Sequence, residues 1–250
     1  MAQDNSSVRE DIIFGRNSVT EALKSNRPAD SLLVAAGERG GSVTAIVARA
    51  KQRGITVKEV SATKLDYMTG GGNHQGVVLL AAAKEYCSLQ DILQIARERD
   101  EAPFILVLDE IEDPHNLGAI LRTAEATGVH GVILPKRRSA GLSGIVAKAS
   151  SGALEYVAVA RVSNLVSALE ELKREGVWIY GADMDGQNFK KTDFSGGVAL
   201  VIGNEGKGIG RLVRETCDVI VSIPMKGKVN SLNAAVAASV LMAEVSAGRD

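Results

Sequence analysis

The feature that most constrains this chain is a regular alternation of apolar runs and helical patterns through its second half. Most of the runs lack polar alternation, as expected when helices cover both faces of a parallel sheet. Strand–helix alternation of this kind indicates right-handed crossovers between parallel strands. The predicted strands span 104–111, 131–134, 156–160, 177–184, 198–203 and 219–225, with helical patterns at 117–127, 142–151, 164–175, 208–216 and 233–246. The sequence therefore predicts a parallel α/β domain.

The first third of the chain shows a smaller α/β pattern of its own. Predicted strands at 31–36, 55–60 and 76–83 alternate with helices at 18–25 and 42–54, and a glycine-rich loop covers 68–76. Ser18 with Glu21 predicts a capping box at the start of the first helix, and Ser88 with Asp91 predicts a cap further on. The predicted organisation is a tail over 1–11, a small domain over 12–84, a charged linker over 85–102 and a larger domain over 103–250.

Composition excludes several classes of protein. The chain has 250 residues, of which 45% are hydrophobic and 24% charged, which is typical of a globular rather than a disordered protein. No apolar stretch approaches the roughly 18 residues that a membrane span needs. Two distant cysteines, Cys87 and Cys217, and three scattered histidines predict neither disulfides nor a metal site. We therefore expect a cytoplasmic protein without a membrane segment or a metal.

Charge is unevenly distributed along the chain. Residues 8–84 carry 11 lysines and arginines against 7 acidic residues, whereas residues 85–250 carry 18 against 22. A modestly basic N-terminal part is compatible with a polyanionic partner such as RNA. A solvated surface explains the same excess equally well.

The loop at 200–210, LVIGNEGKGIG, looks at first like a phosphate-binding loop. A P-loop requires Ser or Thr directly after its lysine, but Lys207 is followed by Gly208. A dinucleotide fingerprint requires the first strand of its domain, and this loop follows the fifth, which disfavours an NAD-dependent enzyme. What remains is a loop that can approach a flat ligand closely, with Glu205 at its tip, or a tight structural turn.

Two other loops follow predicted strands at the same kind of position. After the strand at 104–111, Pro114 and Asn116 precede a helix that carries Arg122 and Glu125 on one face. After the strand at 219–225, a polar stretch precedes a helix rich in small residues, for which Asn233 is the predicted N-cap. A capped helix with a surface ion pair and a buried core helix are the structural alternatives. Ligands in open parallel sheets bind beyond the carboxyl ends of the strands, where these loops lie.

The three segments together resemble the three signature motifs of the SpoU (TrmH-like) family of RNA ribose 2'-O-methyltransferases, within the SPOUT class. The stretch 147–156 also resembles one that this family carries between its motifs. The segments 14–23 and 74–78 resemble the L30e/L7Ae-like RNA-binding domain of the RlmB subgroup, which consists of 23S rRNA guanosine 2'-O-methyltransferases. The matching motif residues are Asp113, Pro114, Asn116, Gly118, Arg122, Thr123, Ala124 and Glu125, then Ile202, Gly203, Glu205 and Gly208, then Ile223, Pro224, Met225, Ser231, Leu232 and Asn233.

This resemblance implies a parallel-sheet α/β catalytic domain with a deep trefoil knot, preceded by the small L30e/L7Ae-like domain. It implies S-adenosyl-L-methionine as cofactor and no metal. The implied cofactor-binding residues are Ile202, Gly203, Glu205, Gly208, Ile223, Met225 and Leu232. The implied catalytic residues are Arg122, Asn116, Glu205, Ser231 and Asn233, with Arg122 at the reacting hydroxyl. Because arginine stays protonated in proteins, it could instead clamp the neighbouring RNA phosphate.

The implied reaction is methyl transfer to a ribose 2'-hydroxyl of rRNA, at a guanosine in 23S rRNA. A tRNA ribose methyltransferase of the same family and a non-catalytic RNA-binding or ribosome-assembly protein are the alternatives. The implied partners are rRNA and a second copy of the chain, which forms a homodimer through the knot region. Candidate RNA-binding residues in the basic domain are Arg16, Lys51, Arg53 and His74.

Overall fold

A computed structural model describes residues 11–38, 40–229 and 231–249, and these residues form two compact units. The first unit contains the described residues up to Glu85 together with Ala140–Tyr156. The second unit contains Tyr86–Ser139 and the described residues from Val157 onward. Within these described ranges, no helix is both long and apolar enough to cross a lipid bilayer.

The first unit is built on a four-stranded mixed sheet in the order β1–β4–β2–β3. Strand β4 pairs antiparallel with both β1 and β2, whereas β2 and β3 run parallel. Its elements are β1 (Ile12–Phe14), α1 (Arg16–Lys24), β2 (Ala29–Ala35), α2 (Gly41–Gln52), β3 (Thr56–Val60), α3 (Ala62–Met68), β4 (Val77–Ala81) and, from later in the chain, α6 (Gly144–Ala149) and a 3-10 turn (Ala153–Glu155).

The capping box predicted from Ser18 and Glu21 does not form. Helix α1 begins two residues earlier, with Gly15 as its N-cap, and Ser18 lies buried inside the helix. The Ser18 hydroxyl donates to the carbonyl of Ala147 over 3.0 Å. The Glu21 carboxylate accepts from Lys24 and from the Tyr156 hydroxyl. Both side chains therefore have tertiary partners that a local pattern does not reveal.

Residues 140–156 pack in the first unit, although the sequence placed them in the domain over 103–250. Arg27 and Glu155 form an ion pair of 2.8 Å, and their side chains are only 7% and 2% exposed. Removing one partner of such a buried pair leaves an uncompensated charge, which typically costs several kcal/mol. The sequence predicted the helix in residues 140–156 but did not reveal that this segment packs in the first unit.

The second unit is a six-stranded sheet in the order β10–β8–β9–β5–β6–β7, and all its strand pairs are parallel. The predicted parallel α/β domain is therefore confirmed, while the trefoil knot stays a prediction. Its elements are α4 (Leu89–Glu98), β5 (Phe104–Leu108), α5 (Pro114–Ala126), β6 (Gly131–Pro135), β7 (Val159–Val162), α7 (Leu165–Arg174), β8 (Val177–Asn188), a 3-10 turn (Phe189–Lys191), β9 (Gly197–Ile202), α8 (Arg211–Thr216), β10 (Val219–Ser222) and α9 (Ala234–Ala247).

From Tyr86 onward, the segment predicted as a linker over 85–102 is part of the second unit. Ser88 and Asp91 form the predicted capping box, and helix α4 follows. The helix buries Leu89, Ile92 and Leu93, whose spacing places them on one face in the core of this unit. The many charged residues on the opposite face led to the prediction of a linker. The spacing of the apolar residues indicated more reliably that the segment is a helix packed on the core.

Strand β8 is longer than predicted and changes register against β10. Tyr180 and Gly181 pair with the start of β10, and the next paired residues of β8 are Gln187 and Asn188. Residues 182–186 therefore leave the ladder as a bulge. At Gly186 an added Cβ would lie 2.6 Å from the backbone of Val221, so only glycine permits this close approach. The bulge turns side chains of β8 toward the neighbouring loops.

Candidate active site

A cavity of about 380 Å³ lies beyond the carboxyl ends of β9 and β10, beside the bulge of β8. Its volume falls in the range of small-molecule sites. Apolar side chains form much of its wall, and three ionisable side chains reach it. The lining residues are Ala182, Asp183, Met184, Ile202, Gly203, Asn204, Glu205, Gly206, Lys207, Gly208, Val221, Ile223, Met225, Ser231, Leu232, Ala234 and Ala237.

The loop after β9 folds back on itself through close backbone contacts. The Gly208 amide donates to the carbonyl of Asn204 over 2.8 Å, and Gly208 has a φ of 66°. A Cβ at Gly203 would lie 2.2 Å from the carbonyl carbon of Gly208. The Asn204 side chain also accepts from the amide of Gly206. The glycines therefore allow two stretches of backbone to touch at the cavity wall.

A buried carboxylate holds the end of this loop. Asp109, at the end of β5, accepts the Gly210 amide over 2.8 Å, directly before α8. Burial raises the pKa of Asp109, whereas the hydrogen bond from Gly210 lowers it less strongly. The Asn204 side chain donates to the carbonyl of Glu110 on the same connection. Neither Asp109 nor Asn204 was predicted as a site residue; both hold backbone through hydrogen bonds, and Asn204 also lines the cavity.

Three of the predicted polar residues form one hydrogen-bond cluster. Asn116 donates from Nδ2 to Oε1 of Glu205 over 2.8 Å, and Asn233 donates to Oδ1 of Asn116 over 3.0 Å. Asn233 also donates to Oε1 of Glu205, as does the amide of Ala234 over 3.2 Å. The cluster connects α5, the loop after β9 and the start of α9. Its geometry indicates that Glu205 organises these three segments.

The two helices of this cluster begin with side-chain caps. Asp113 accepts from the His115 amide at the start of α5, with Pro114 in the first turn. At α9 the Asn233 side chain accepts from two backbone amides, which confirms the predicted N-cap. Helices α5 and α9 pack together, and the hydroxyls of Thr123 and Ser239 lie 3.0 Å apart. The small residues of α9 thus allow close packing against α5.

Some of the predicted catalytic and cofactor-binding residues line the cavity and others do not. Asn116 and Asn233 lie in the hydrogen-bond cluster but are not among the lining residues. Arg122 is exposed on α5 and is not among the residues that line the cavity. Among the described residues, no group of three or more His, Cys, Asp or Glu side chains is arranged to hold a metal ion. The predicted residues that line the cavity are Ile202, Gly203, Glu205, Gly208, Ile223, Met225, Ser231 and Leu232.

In the first unit, Arg16 is engaged by its own neighbours. Its Nε donates to the carbonyl of Gln75, Nη1 to the Ser42 hydroxyl and Nη2 to Glu38, all within 3.1 Å. A guanidinium held in this way fixes the start of α1 to the loop before β4. Contact with an RNA phosphate would require some of these bonds to break.

Arg53 and His74 also have structural partners, whereas Lys51 is exposed. Arg53 donates to two carbonyls in the last turn of α1 and to the carbonyl of Arg27. This is a favourable position for a cation, at the negative end of the helix. His74 contacts Asp66 over 3.1 Å and accepts from the Gly76 amide. Of the four predicted RNA-binding residues, Lys51 is the one whose side chain is exposed outright.

Asp183 is the cavity residue that sequence reasoning missed most clearly. It follows the apolar part of β8, and its carboxylate accepts from the Met184 amide and from Arg214. A signal was present, because a polar residue at the end of a buried parallel strand is well placed for a ligand. The bulge that turns Asp183 into the cavity could not be predicted from periodicity.

Comparison with known families matches both parts of the chain. Residues 103–243 match the model of the SpoU rRNA Methylase family. Residues 12–87 match the model described as RNA 2'-O ribose methyltransferase substrate binding. YacO of Bacillus subtilis, named for the TrmH family of tRNA/rRNA methyltransferases, is 50% identical over 240 residues, which is 96% of each chain.

Solved structures of similar fold also include RNA methyltransferases of the SpoU and TrmH type. An AdoMet-bound rRNA methyltransferase from Sinorhizobium meliloti is 26% identical, with a TM-score of 0.76 over 95% of this chain and 87% of that one. The TrmH/SpoU tRNA modifying enzyme of A. aeolicus is 28% identical, with a TM-score of 0.55 over 64% of this chain and 85% of that one. The chain, with its N-terminal substrate-binding unit, therefore belongs to the SpoU rRNA methylase family of RNA methyltransferases.

Proposed function

We propose that this protein transfers a methyl group from S-adenosyl-L-methionine to a ribose 2'-hydroxyl in RNA, at a guanosine of 23S rRNA. The observation that carries the proposal is the convergence of three separate segments on one site. Asn116, Glu205 and Asn233 share hydrogen bonds, and the loops after β9 and β10 line the adjoining cavity. Membership of the SpoU family supports RNA methylation as the chemistry.

The residues of the cavity fit S-adenosylmethionine. Apolar side chains such as Ile202, Val221 and Leu232 suit a flat adenine, and Asp183 and Glu205 suit a ligand with a positive charge. The absence of Ser or Thr after Lys207 agrees with a ligand that has no phosphate. When bound, this cofactor supplies a methyl group activated by a sulfonium. The S. meliloti relative is described as bound to AdoMet.

The reaction depends more on alignment of the nucleophile with the methyl group than on a strong general base. With the cofactor bound, a ribose 2'-oxygen would take the methyl group from the sulfonium, and the hydroxyl proton would pass to a neighbouring RNA phosphate or to water. Holding two reactants in line can lower the barrier by several kcal/mol. Glu205 accepts three donors on one oxygen, so its role here is to hold the two asparagines and α9 in place. Ser231 lines the cavity and is a further candidate for orienting the substrate.

Arg122 is proposed to act on the RNA rather than on the cofactor. It is exposed on α5 and does not line the cavity. A guanidinium remains protonated, so clamping a phosphate next to the reacting ribose is a better role for it than general base. Arg122→Ala should abolish transfer and leave cofactor affinity within about twofold, whereas Arg122→Lys should recover part of the activity. Loss of cofactor binding in Arg122→Ala would contradict this role.

Ribosomal RNA is favoured over tRNA by the extent of the structural matches. The structure described as an rRNA methyltransferase matches 95% of this chain, whereas the one described as a tRNA modifying enzyme matches 64%. The substrate-binding unit over 12–87 thus accompanies the longer match. tRNA remains the second candidate, because YacO is named for both kinds of RNA.

The first unit offers an exposed surface for RNA that differs from the predicted residues. Tyr67 is 88% exposed on α3, and Lys64 lies one helical turn before it. Lys58 shares a face of β3 with Val60, which packs on the α3 side of the sheet. Exposed aromatic rings beside lysines are typical of single-stranded RNA contacts, where bases stack and phosphates pair. We propose this surface as an RNA contact, and Lys51, exposed on α2, as a separate candidate.

A homodimer through α9 is part of the proposal. One side of α9 is buried against its own unit, but Val236 is 48% exposed on another side. Met225, at the cavity, is 39% exposed. Exposed apolar side chains near a site are consistent with cover by a second copy. Light scattering should give the mass of a dimer, and Val236→Glu should shift the population toward the monomer.

The test is methyl transfer from labelled S-adenosylmethionine to unmodified RNA. Transfer to 23S rRNA at least tenfold above transfer to tRNA would support the proposal, and the reverse ratio would favour the tRNA alternative. Protein that binds both cofactor and RNA but transfers nothing to either RNA would support a non-catalytic RNA-binding role. Naked rRNA and a pre-ribosomal particle should be assayed separately.

A further inference from the structure

One carboxylate in the cavity belongs to none of the three family motifs. Asp183 lies in the bulge of β8, and its side chain is 26% exposed. Its Oδ1 accepts from the Met184 amide over 2.6 Å, and its Oδ2 accepts from Arg214 Nε over 3.2 Å. An ideal Cβ built at Gly208 would lie 4.0 Å from Oδ2, so the carboxylate also borders the loop after β9. Asp183 therefore presents its charge between the two principal walls of the cavity.

The charge of Asp183 is only partly neutralised. Arg214 is shared between two carboxylates, because its Nη2 donates to both oxygens of Asp185 over 2.7 and 2.8 Å. One guanidinium thus faces two negative charges, and its shorter bonds go to Asp185. Asp185 is 70% exposed and does not line the cavity. Of the two carboxylates, Asp183 is therefore the less neutralised, and it is the one that lines the cavity.

The other charged groups at the cavity do not cancel this charge. Glu205 adds a second carboxylate, which is bonded by two asparagines and a backbone amide, none of them cationic. Lys207 also lines the cavity, so two carboxylates and one ammonium leave one net negative charge among its ionisable side chains. The cavity as a whole therefore favours a ligand with a positive charge.

Methyl transfer changes the charge of the cofactor. The donor has a positive sulfonium, and the product S-adenosylhomocysteine has a neutral thioether in its place. A nearby carboxylate attracts the first form and gives little to the second. We propose that Asp183 is a specificity-determining residue that favours binding of the charged donor over the neutral product. The inference rests on the proposed function, since it assumes that the cavity binds this donor.

This preference would assist turnover. Donor and product share the adenosine and amino acid groups, so contacts to those groups cannot distinguish them. A charge that acts on the sulfonium alone lowers the affinity of the product relative to that of the donor. Product that occupies the cavity then competes less well with the next donor molecule.

The experiment compares two variants that remove one carboxylate each from the same arginine. Asp183→Asn keeps an oxygen acceptor but removes the charge at the cavity, and Asp185→Asn removes a charge outside it. Calorimetric titration with S-adenosylmethionine and, separately, with S-adenosylhomocysteine gives the ratio of the two dissociation constants. Asp183→Asn should reduce the preference for the donor by about three- to tenfold, an effect moderated by partial exposure. Asp185→Asn should reduce the preference by less than Asp183→Asn does, because it leaves Arg214 freer to neutralise Asp183 but keeps the Asp183 charge at the cavity.

Three results would overturn the inference. An unchanged ratio in Asp183→Asn, or equal weakening of both ligands, would mean that Asp183 supports the bulge and Arg214, or faces the ammonium that both ligands share, and does not act on the sulfonium. Should Asp183→Asn fail to fold, salt dependence in the unmodified protein provides the second measurement. Added NaCl should weaken the donor more than the product, and equal weakening would overturn the inference. Failure of the unmodified protein to bind either ligand would instead contradict the proposed function itself.

Discussion

Asn116 donates a hydrogen bond of 2.8 Å to Oε1 of Glu205, although 89 residues separate them in the chain. Asn233 donates to the same oxygen from a third segment. The bond therefore joins the start of α5 to the loop after β9 and to the cap of α9. Side chains from three motifs are held in one arrangement beside the cavity.

Replacing Glu205 should disturb the site more than it disturbs the fold. Glu205→Ala removes the acceptor shared by Asn116, Asn233 and the Ala234 amide, so the free energy of unfolding should fall by about 1 kcal/mol. Cofactor affinity should fall at least tenfold, because the loop after β9 loses its attachment to α9. Glu205→Gln keeps an oxygen acceptor, so its cofactor affinity in calorimetric titration should lie between those of Glu205→Ala and the unmodified protein. Wild-type affinity in Glu205→Ala would contradict the organising role.

Gly203 should not tolerate a side chain, because its Cβ would lie 2.2 Å from the backbone of Gly208. Gly203→Ala should lower the free energy of unfolding by about 1–3 kcal/mol and displace the loop after β9. Binding of S-adenosylmethionine should be lost. Gly227→Ala is the matched control, since a Cβ there has no atom within 4 Å. Equal binding by the two variants would show that the close contact is unimportant.

Tyr67 should contribute to RNA affinity without contributing to stability. At 88% exposure, Tyr67→Ala should leave the unfolding temperature unchanged. Loss of a stacked base costs about 1–3 kcal/mol, so the dissociation constant for RNA should rise about fivefold or more in filter binding. Tyr67→Phe keeps the ring and should bind almost as the unmodified protein does. If Tyr67→Ala binds RNA as tightly as the unmodified protein does, this surface is not an RNA contact.

Stability should decrease in acid because of His130. The ring is buried, its Nδ1 accepts from the Phe104 amide over 2.9 Å, and its Nε2 lies 2.9 Å from Glu101. Burial lowers the pKa of His130, and the contact with Glu101 opposes that shift only in part. The folded state therefore binds this proton less readily than the unfolded state. The free energy of unfolding should fall as the pH drops below about 6.5, the ordinary value for histidine.

The control for this pH dependence is the exposed His115. Urea unfolding between pH 7 and pH 5 should show a flatter slope for His130→Gln than for the unmodified protein. His115→Gln should keep the original slope. A slope unaffected by His130→Gln would mean that another group governs the acid sensitivity.

The cavity wall was predictable because it depends on local chain properties. Continuous apolar runs predicted the parallel strands, and the rule that ligands bind beyond their carboxyl ends selected the loops after β9 and β10, which line the cavity. Glycines at 203 and 208 predicted either close approach to a flat ligand or a tight turn, and the backbone contacts within the loop show the tight turn. Asn233 was recognisable as a cap because capping chemistry is decided within a few residues.

Features that depend on distant partners were not predictable. Arg16 and Arg53 looked like free cations, yet both donate to groups brought close only by folding. Ser18 matched a capping box but lies inside its helix, because Gly15 begins the helix earlier. The position of Asp183 depends on a register shift between β8 and β10. Periodicity describes one element at a time and contains no information about which elements meet.

The central claim is that the methyl group reaches a ribose oxygen, and nucleoside analysis tests it most directly. Unmodified 23S rRNA is incubated with the protein and methyl-labelled S-adenosylmethionine, digested to nucleosides and separated by chromatography with mass detection. We expect the label in 2'-O-methylguanosine, and no label with Arg122→Ala although that variant still binds the cofactor. Label in a base-methylated nucleoside, or no label from protein that binds both cofactor and RNA, would contradict the account.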